Sequence, residues 1–139
     1  MKDEIRALAD RYAAELKRGT DKRMAEMEQD DRSHALIYRV LGVSEAEGER
    51  IDVYQNKGRL LYNAAGRFLQ EAAILCFVRK FPKAGKATVP NTHGRRPKTF
   101  EIDCLVGKDA LEIKWRDATT DSDHITKEHT RMQAVCDAG

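Results

Sequence analysis

Between positions 57 and 79, Leu60, Leu61, Ala64, Ala65, Phe68, Leu69, Ala72, Ala73, Leu75 and Cys76 recur at steps of three and four. This predicts a helix, and the best-buried helix of the chain. Further upstream, Ile5, Leu8, Tyr12 and Leu16 stand at helical spacing among charges in a proline-free stretch from residue 2 to about 29. An amphipathic helix interrupted near Gly19-Thr20 follows from that pattern. The apolar run Ala35 to Leu41 predicts a short helix with Ser33 as N-cap and Gly42 as its end, and Ser44 to Gly48 a turn or helix start. From 79 to 98 the periodicity fails, and Pro82, Gly85, Pro90, Gly94 and Pro97 predict a long loop or a loop around a short strand.

The period then changes to two. Phe100, Ile102, Cys104 and Val106 alternate with Glu101, Asp103 and Leu105, and Leu111, Ile113 and Trp115 alternate with Glu112 and Lys114. Two strands are expected, with Trp115 in the core. A type II′ turn at Gly107-Lys108 would set Asp103 opposite Glu112, and a Lys108-Asp109 turn would set Asp103 opposite Lys114. Either even-length loop leaves Asp103, Glu112 and Lys114 on one face. Asp121 or Asp123 then caps a helix reaching about Cys136, with Ile125, Met132, Val135 and Cys136 as buried candidates and Gly139 as its C′ residue. The Met24 and Met27 pair reads as packing.

A chain of 139 residues with 41% hydrophobic content can bury a core, and one compact unit is expected. The net charge of +2, from signs that nearly cancel, says little about a polyanionic partner, so the distribution of charge must carry that question. No run approaches the roughly 18 apolar residues of a membrane span, and the N-terminus lacks the apolar centre of a signal peptide. A soluble, cytoplasmic protein without membrane contact is expected. Cys76, Cys104 and Cys136 are odd in number, far apart and set in apolar stretches, which reads as reduced core residues.

Two carboxylates facing each other across a hairpin form a hard oxygen site suited to Mg²⁺, which takes one or two carboxylates and fills its remaining positions with water and phosphate oxygens. Lys114, on the same face, is placed to orient or deprotonate an attacking water and to offset charge on a phosphoryl transition state. The main-chain carbonyl of Ile113 lies between Glu112 and Lys114 as a further candidate ligand, and Glu71 on the preceding helix as a further carboxylate. The bare spacing is a weak signal. Asp10, Glu15 and Lys17 meet a loose version of it on what reads as a solvated helix face, and the polar face of an ordinary hairpin would look the same.

The segment before the first strand adds a second signal. Arg79, Lys80, Lys83, Lys86, Arg95, Arg96 and Lys98 fall within residues 79–98, which contain no Asp or Glu. Such a local excess is the footprint of phosphate-backbone binding, although a solvated basic loop has the same composition. Asn91, Thr92 and His93 lie in the same segment as candidates to reach base edges or phosphates, although ordinary loop residues are the simpler reading for them. Lys127 and Arg131 sit near one face of the last helix, where they would contact DNA or solvent. His124 and His129, five apart, fall on different faces and do not make a zinc pair.

With these residues in place, EIDCLV (101–106) followed by ALEIKWRDATTDSDHITKEHTR (110–131), and preceded by DVYQNKGRLLYNAAGRFLQEA (52–72), resembles the ApaLI-like type II restriction endonucleases of the PD-(D/E)xK superfamily. The resemblance covers roughly residues 35 to 139, leaving 1–34 as an N-terminal helical segment. It departs at Ile102, which stands where the motif has proline. It implies an α/β (α+β) restriction-endonuclease-like core, a central mixed sheet flanked by helices. It also implies Mg²⁺-dependent cleavage of double-stranded DNA at a short palindromic site by a homodimer, each active site cutting one strand. Asp103, Glu112 and Lys114 match the motif's residues and Glu71 the helical glutamate. At least one later core strand is not accounted for, so the core is expected to be incomplete at the C-terminus. Two rivals stay open: a repair or junction-resolving nuclease on the same core, and a non-catalytic DNA-binding or assembly subunit.

Overall fold

The computed structural model describes residues 1–115 and 122–139, and within 122–127 only the side chain of Thr126. In chain order the elements are α1 (Lys2–Gln29), α2 (Ala35–Val40), α3 (Glu45–Lys80), β1 (Gly85–Pro90), β2 (Thr99–Val106), β3 (Asp109–Leu111) and α4 (Ser122–Asp137). Length suggested one compact unit, but the chain folds as two, Lys2–Phe68 and Leu69–Gly139, which divide inside α3. No described helix is long and apolar enough to cross a membrane.

In the N-terminal unit α1 continues through Gly19 and Thr20 without the expected break. A single helical glycine costs only about 1 kcal/mol against alanine, which a long helix tolerates. The first part of α3 runs antiparallel to α1: Tyr12 meets Phe68 edge-on, Glu15 meets Arg67, and Arg23 Nε donates to Asn56 Oδ1 at 2.9 Å. The buried ring of Tyr12 is flanked by the guanidinium groups of Arg11 and Arg67, each 5.2 Å from its centroid. The residue in the N-cap position of α2 is His34 rather than Ser33, and its side chain makes no cap bond. Tertiary contacts hold this short helix instead. Tyr38 Oη donates to Asp52 Oδ1 at 2.6 Å, and His34 Nε2 lies 3.0 Å from Oδ2. Tyr38 packs so closely on Gly48 that a Cβ there would stand 2.4 Å from the ring, so α3 needs glycine at this point.

Ser44 caps α3, its Oγ accepting the Glu47 N–H at 3.3 Å, and the helix extends well upstream of the predicted start. It is not the best-buried helix. Among its described residues Gly48 alone is buried, and Tyr54, Leu61 and Tyr62 are exposed, because its apolar positions spread around the axis.

In the C-terminal unit the sheet order is β1-β2-β3, and both pairings are antiparallel. This is the expected α+β architecture, and among the described residues the sheet contains no parallel pairing of the kind a mixed sheet would have. β1 is the short strand within the segment expected to be mostly loop. Phe100 and Ile102 of β2 form the core with Val89 of β1 and Ala134 of α4, and Ala87, Leu105 and Val135 pack against them. Cys104 is fully buried, whereas Cys76 and Cys136, expected inside, are exposed, and all three are free. Met132, another expected core residue, is 66% exposed. The N-cap candidates Asp121 and Asp123, the side chain of Ile125 and that of Lys127 lie outside what is described. Gly139 has φ of 95°, as a C′ residue requires.

The hairpin adopts the first of the two predicted registers. Cys104 pairs with Leu111, Leu105 with Ala110 and Val106 with Asp109. Gly107 has φ of 62° and Lys108 does not have positive φ, the combination of a II′ turn. The second strand is shorter than its pattern suggested. β3 ends at Leu111, so Glu112 to Trp115 lie outside the sheet and Trp115 is 52% exposed rather than core.

The other edge of β2 carries a feature that alternation alone conceals. Gly85 pairs with Leu105 and Ala87 with Ile102, so the single residue Lys86 faces two, Asp103 and Cys104. This is a β-bulge, which re-aims a side chain and reverses the inward and outward faces beyond it. Leu105 can therefore join the same cluster as Phe100 and Ile102 despite its odd number.

Ile102→Ala should cost about 2–5 kcal/mol of the unit's stability through lost burial and a cavity. Trp115→Ala should stay within about 0.5 kcal/mol, as for surface substitutions. Urea unfolding followed by far-ultraviolet circular dichroism measures both. Comparable losses for the two variants would contradict the placement of Trp115.

Candidate active site

The bulge sits at Asp103, and its carboxylate is held from two sides. Gln70 Nε2 of α3 donates to Oδ1, and the Ile113 backbone N–H donates to Oδ2 at 2.9 Å. The second bond accounts for the early end of β3. An N–H that the pattern assigned to a strand is instead drawn to a side chain, because an ionised carboxylate is a stronger acceptor than a peptide carbonyl. Glu112 stands one step beyond the last ladder pair, Cys104 with Leu111.

Glu112 lies between two cations. Its Oε1 is 2.6 Å from Lys114 Nζ, and its Oε2 accepts from Arg131 Nη2 of α4. The same Arg131 nitrogen donates to the Glu101 carbonyl at 2.6 Å, and Nη1 is 3.7 Å from Glu128. Burial of Glu112, whose side chain is 31% exposed, pushes its pKa up. The bonds and charges of Lys114 and Arg131 outweigh that and hold it below its ordinary value of 4.5.

Of the predicted trio, Lys114 is ion-paired with Glu112, and Asp103 accepts the N–H of Ile113, the residue between them. On α3 the residue bonded to Asp103 is Gln70, and Glu71 is its half-buried neighbour, about 100° around the helix. Both are polar side chains in an apolar stretch, and only the helix phase decides between them. By contrast, the loose match at Glu15 and Lys17 is helix surface, with Glu15 paired to Arg67 and Lys17 to Asp21.

The basic residues do not form one loop. Arg79 and Lys80 end α3, Lys83 follows it, Lys86 is in β1 opposite the bulge, and Arg95, Arg96 and Lys98 lie in the β1–β2 connection; all seven are exposed. That connection is closed internally: Asn91 Nδ2 donates to the Pro97 carbonyl at 2.9 Å, and its Oδ1 accepts the His93 N–H at 3.1 Å. His93 Nε2 lies 2.6 Å from Asp137 of α4. Arg131, expected on phosphate, is turned inward and only 19% exposed.

As metal donors, the site offers hard carboxylate oxygens that keep accepting capacity, since each oxygen has two lone-pair positions. That chemistry fits Mg²⁺. Among the described residues no group of three or more His, Cys, Asp and Glu gathers at one point.

The family model of the ApaLI-like restriction endonucleases matches residues 1–139. The chain belongs to that family. The match includes residues 1–34, upstream of where the resemblance began. No curated protein and no solved structure matched the chain.

In this ApaLI-like chain the depressed pKa of Glu112 has a defined consequence for stability. A carboxylate with lowered folded-state pKa stabilises the fold above its unfolded value and loses that contribution as pH falls through the folded value. The stability difference between the parent and Glu112→Gln should be largest near neutral pH and shrink progressively below about pH 4.5. Thermal melts across that range measure it. A difference independent of pH would contradict the pairing of Glu112 with Lys114 and Arg131.

Proposed function

We propose that this chain is a type II restriction endonuclease that cleaves double-stranded DNA at a specific site by Mg²⁺-dependent phosphodiester hydrolysis. The observation that carries the reading is the Asp103 carboxylate accepting the Ile113 N–H, next to Glu112, whose Oε1 lies 2.6 Å from Lys114 Nζ, in a chain of a restriction endonuclease family. In this reading Asp103 and Glu112, with the main-chain carbonyl of Ile113, hold the ion. When bound, Mg²⁺ would act as a Lewis acid on the scissile phosphate and lower the pKa of a water.

The remaining work falls to the chain's own groups. Gln70 and the Ile113 N–H fix the Asp103 carboxylate before DNA arrives, so its orientation costs nothing during the reaction. Lys114, held by Glu112, supplies a positive charge beside the attacking water and the developing phosphorane. Glu71 is proposed as an accessory carboxylate on α3. Lys83, Lys86, Arg95, Arg96 and Lys98, together with Arg79 and Lys80 and with His93 and Lys127, would grip the phosphate backbone. A homodimer with one active site per strand fits a palindromic target.

Incubating plasmid with purified protein and Mg²⁺ tests the reading. Discrete fragments are expected, and Asp103→Ala and Lys114→Ala should each lower cleavage about 100-fold or more while DNA binding persists. Parental cutting by both variants would make the assignment wrong. A preference for branched DNA without discrete fragments would point to a junction-resolving enzyme, and binding without turnover in Mg²⁺ or Mn²⁺ to a non-catalytic subunit.

A further inference from the structure

The proposed reading gives Glu112 a reactive role, yet no ladder pairing holds it there, and the main-chain tie beside it is the single Ile113 N–H bond to Asp103. β3 ends at Leu111, so the sheet ladder stops one residue short of Glu112. Asp103, by contrast, lies within β2 and is fixed by Gln70 and the Ile113 N–H.

Arg131 fills that gap. One of its nitrogens, Nη2, donates to both Glu112 Oε2 and the carbonyl of Glu101. Glu101 is two residues before Asp103 on β2, so a single guanidinium nitrogen ties Glu112 to the strand that carries the other carboxylate. Through it the helix α4, packed on the sheet by Ala134 and Val135, sets where Glu112 stands. Nη1, 3.7 Å from Glu128, keeps the guanidinium plane oriented. A group contacting DNA phosphate must present its N–H fork to solvent, whereas this side chain is 19% exposed and directed inward.

We infer that Arg131 is a positioning residue of the active site, replacing the absent backbone pairing at Glu112 and fixing it relative to Asp103, rather than a contact to the DNA backbone. The inference rests on the nuclease reading above. Lysine is not equivalent here, because its ammonium rotates freely on a flexible stem, whereas the rigid guanidinium plane fixes the directions of the two Nη2 N–H groups that meet the carbonyl and the carboxylate.

The test compares Arg131→Lys and Arg131→Met with Asp103→Ala in the full chain, using DNA carrying the parent's own cleavage site. Both Arg131 variants should lower kcat, by about 10- to 100-fold for the methionine, since misplacing a reacting group by about 1 Å costs on that order. KM should stay at the parental value, and so should the salt dependence of DNA binding measured without divalent metal. Amide relaxation measured by ¹⁵N NMR on the metal-free protein should show the 112–114 segment gaining motion in both variants. A phosphate contact would behave differently. The methionine variant would then bind DNA more weakly with a salt slope smaller by about one, and the lysine variant would keep its kcat.

A parental kcat in Arg131→Lys, or a reduced salt slope in Arg131→Met, overturns the inference. If the methionine variant does not fold, kcat and KM of the lysine variant decide by themselves. Loss of cleavage in Asp103→Ala alongside parental Arg131 variants removes only the role of Arg131. Parental cleavage by Asp103→Ala removes the nuclease site itself.

Discussion

Asp103 accepts hydrogen bonds from two parts of the C-terminal unit that the sequence pattern leaves unconnected: the Gln70 amide on α3 and the Ile113 N–H beyond β3. Both follow from placing an acidic side chain at a bulge in the central strand. There the carboxylate leaves the regular alternation and becomes available to neighbours on either side. An ionised carboxylate draws N–H donors more strongly than a peptide carbonyl does. The ladder therefore gives up pairing after Leu111, and Glu112, Ile113 and Lys114 are arranged around Asp103 instead of along a strand.

That arrangement has an electrostatic counterpart. Released from the ladder, Glu112 is held by Lys114 on one oxygen and Arg131 on the other. The two cations overcome the burial that disfavours its charge and keep it ionised well into acid. Lys114 is in turn held close by this ion pair, 2.6 Å from Glu112 Oε1. Near-zero net charge of the whole chain conceals this, because what matters is which charges the turn and α4 bring together.

The sequence made the II′ turn legible through Gly107 and with it the pairing of Val106 with Asp109 through Cys104 with Leu111, since glycine at positive φ and an even loop leave few registers. The buried positions Phe100, Ile102 and Cys104 could also be read from alternation. The end of β3 could not. Glu112, Ile113, Lys114 and Trp115 continue a perfect period of two, and the competing acceptor that breaks it is a side chain nine or more residues away in sequence. The bulge was hidden because it depends on pairing with β1, a strand inside a proline- and glycine-rich segment. Helix phase brings Gln70, which the pattern did not single out, to Asp103, and it brings Arg131, whose charge suggests DNA, to Glu112. For α3, ten apolar residues implied deep burial, yet none of them is buried and Leu61 and Cys76 are exposed, because they spread around the axis.

The central claim is that Asp103 and Glu112 together hold a divalent cation. Replacing Mg²⁺ by Fe²⁺ in the presence of ascorbate generates hydroxyl radicals at the bound ion, and these cut the polypeptide beside its ligands. The account predicts cleavage of the chain at Asp103 and in the 112–113 segment, suppressed by excess Mg²⁺. Cuts confined to other segments, or insensitive to Mg²⁺, would contradict it.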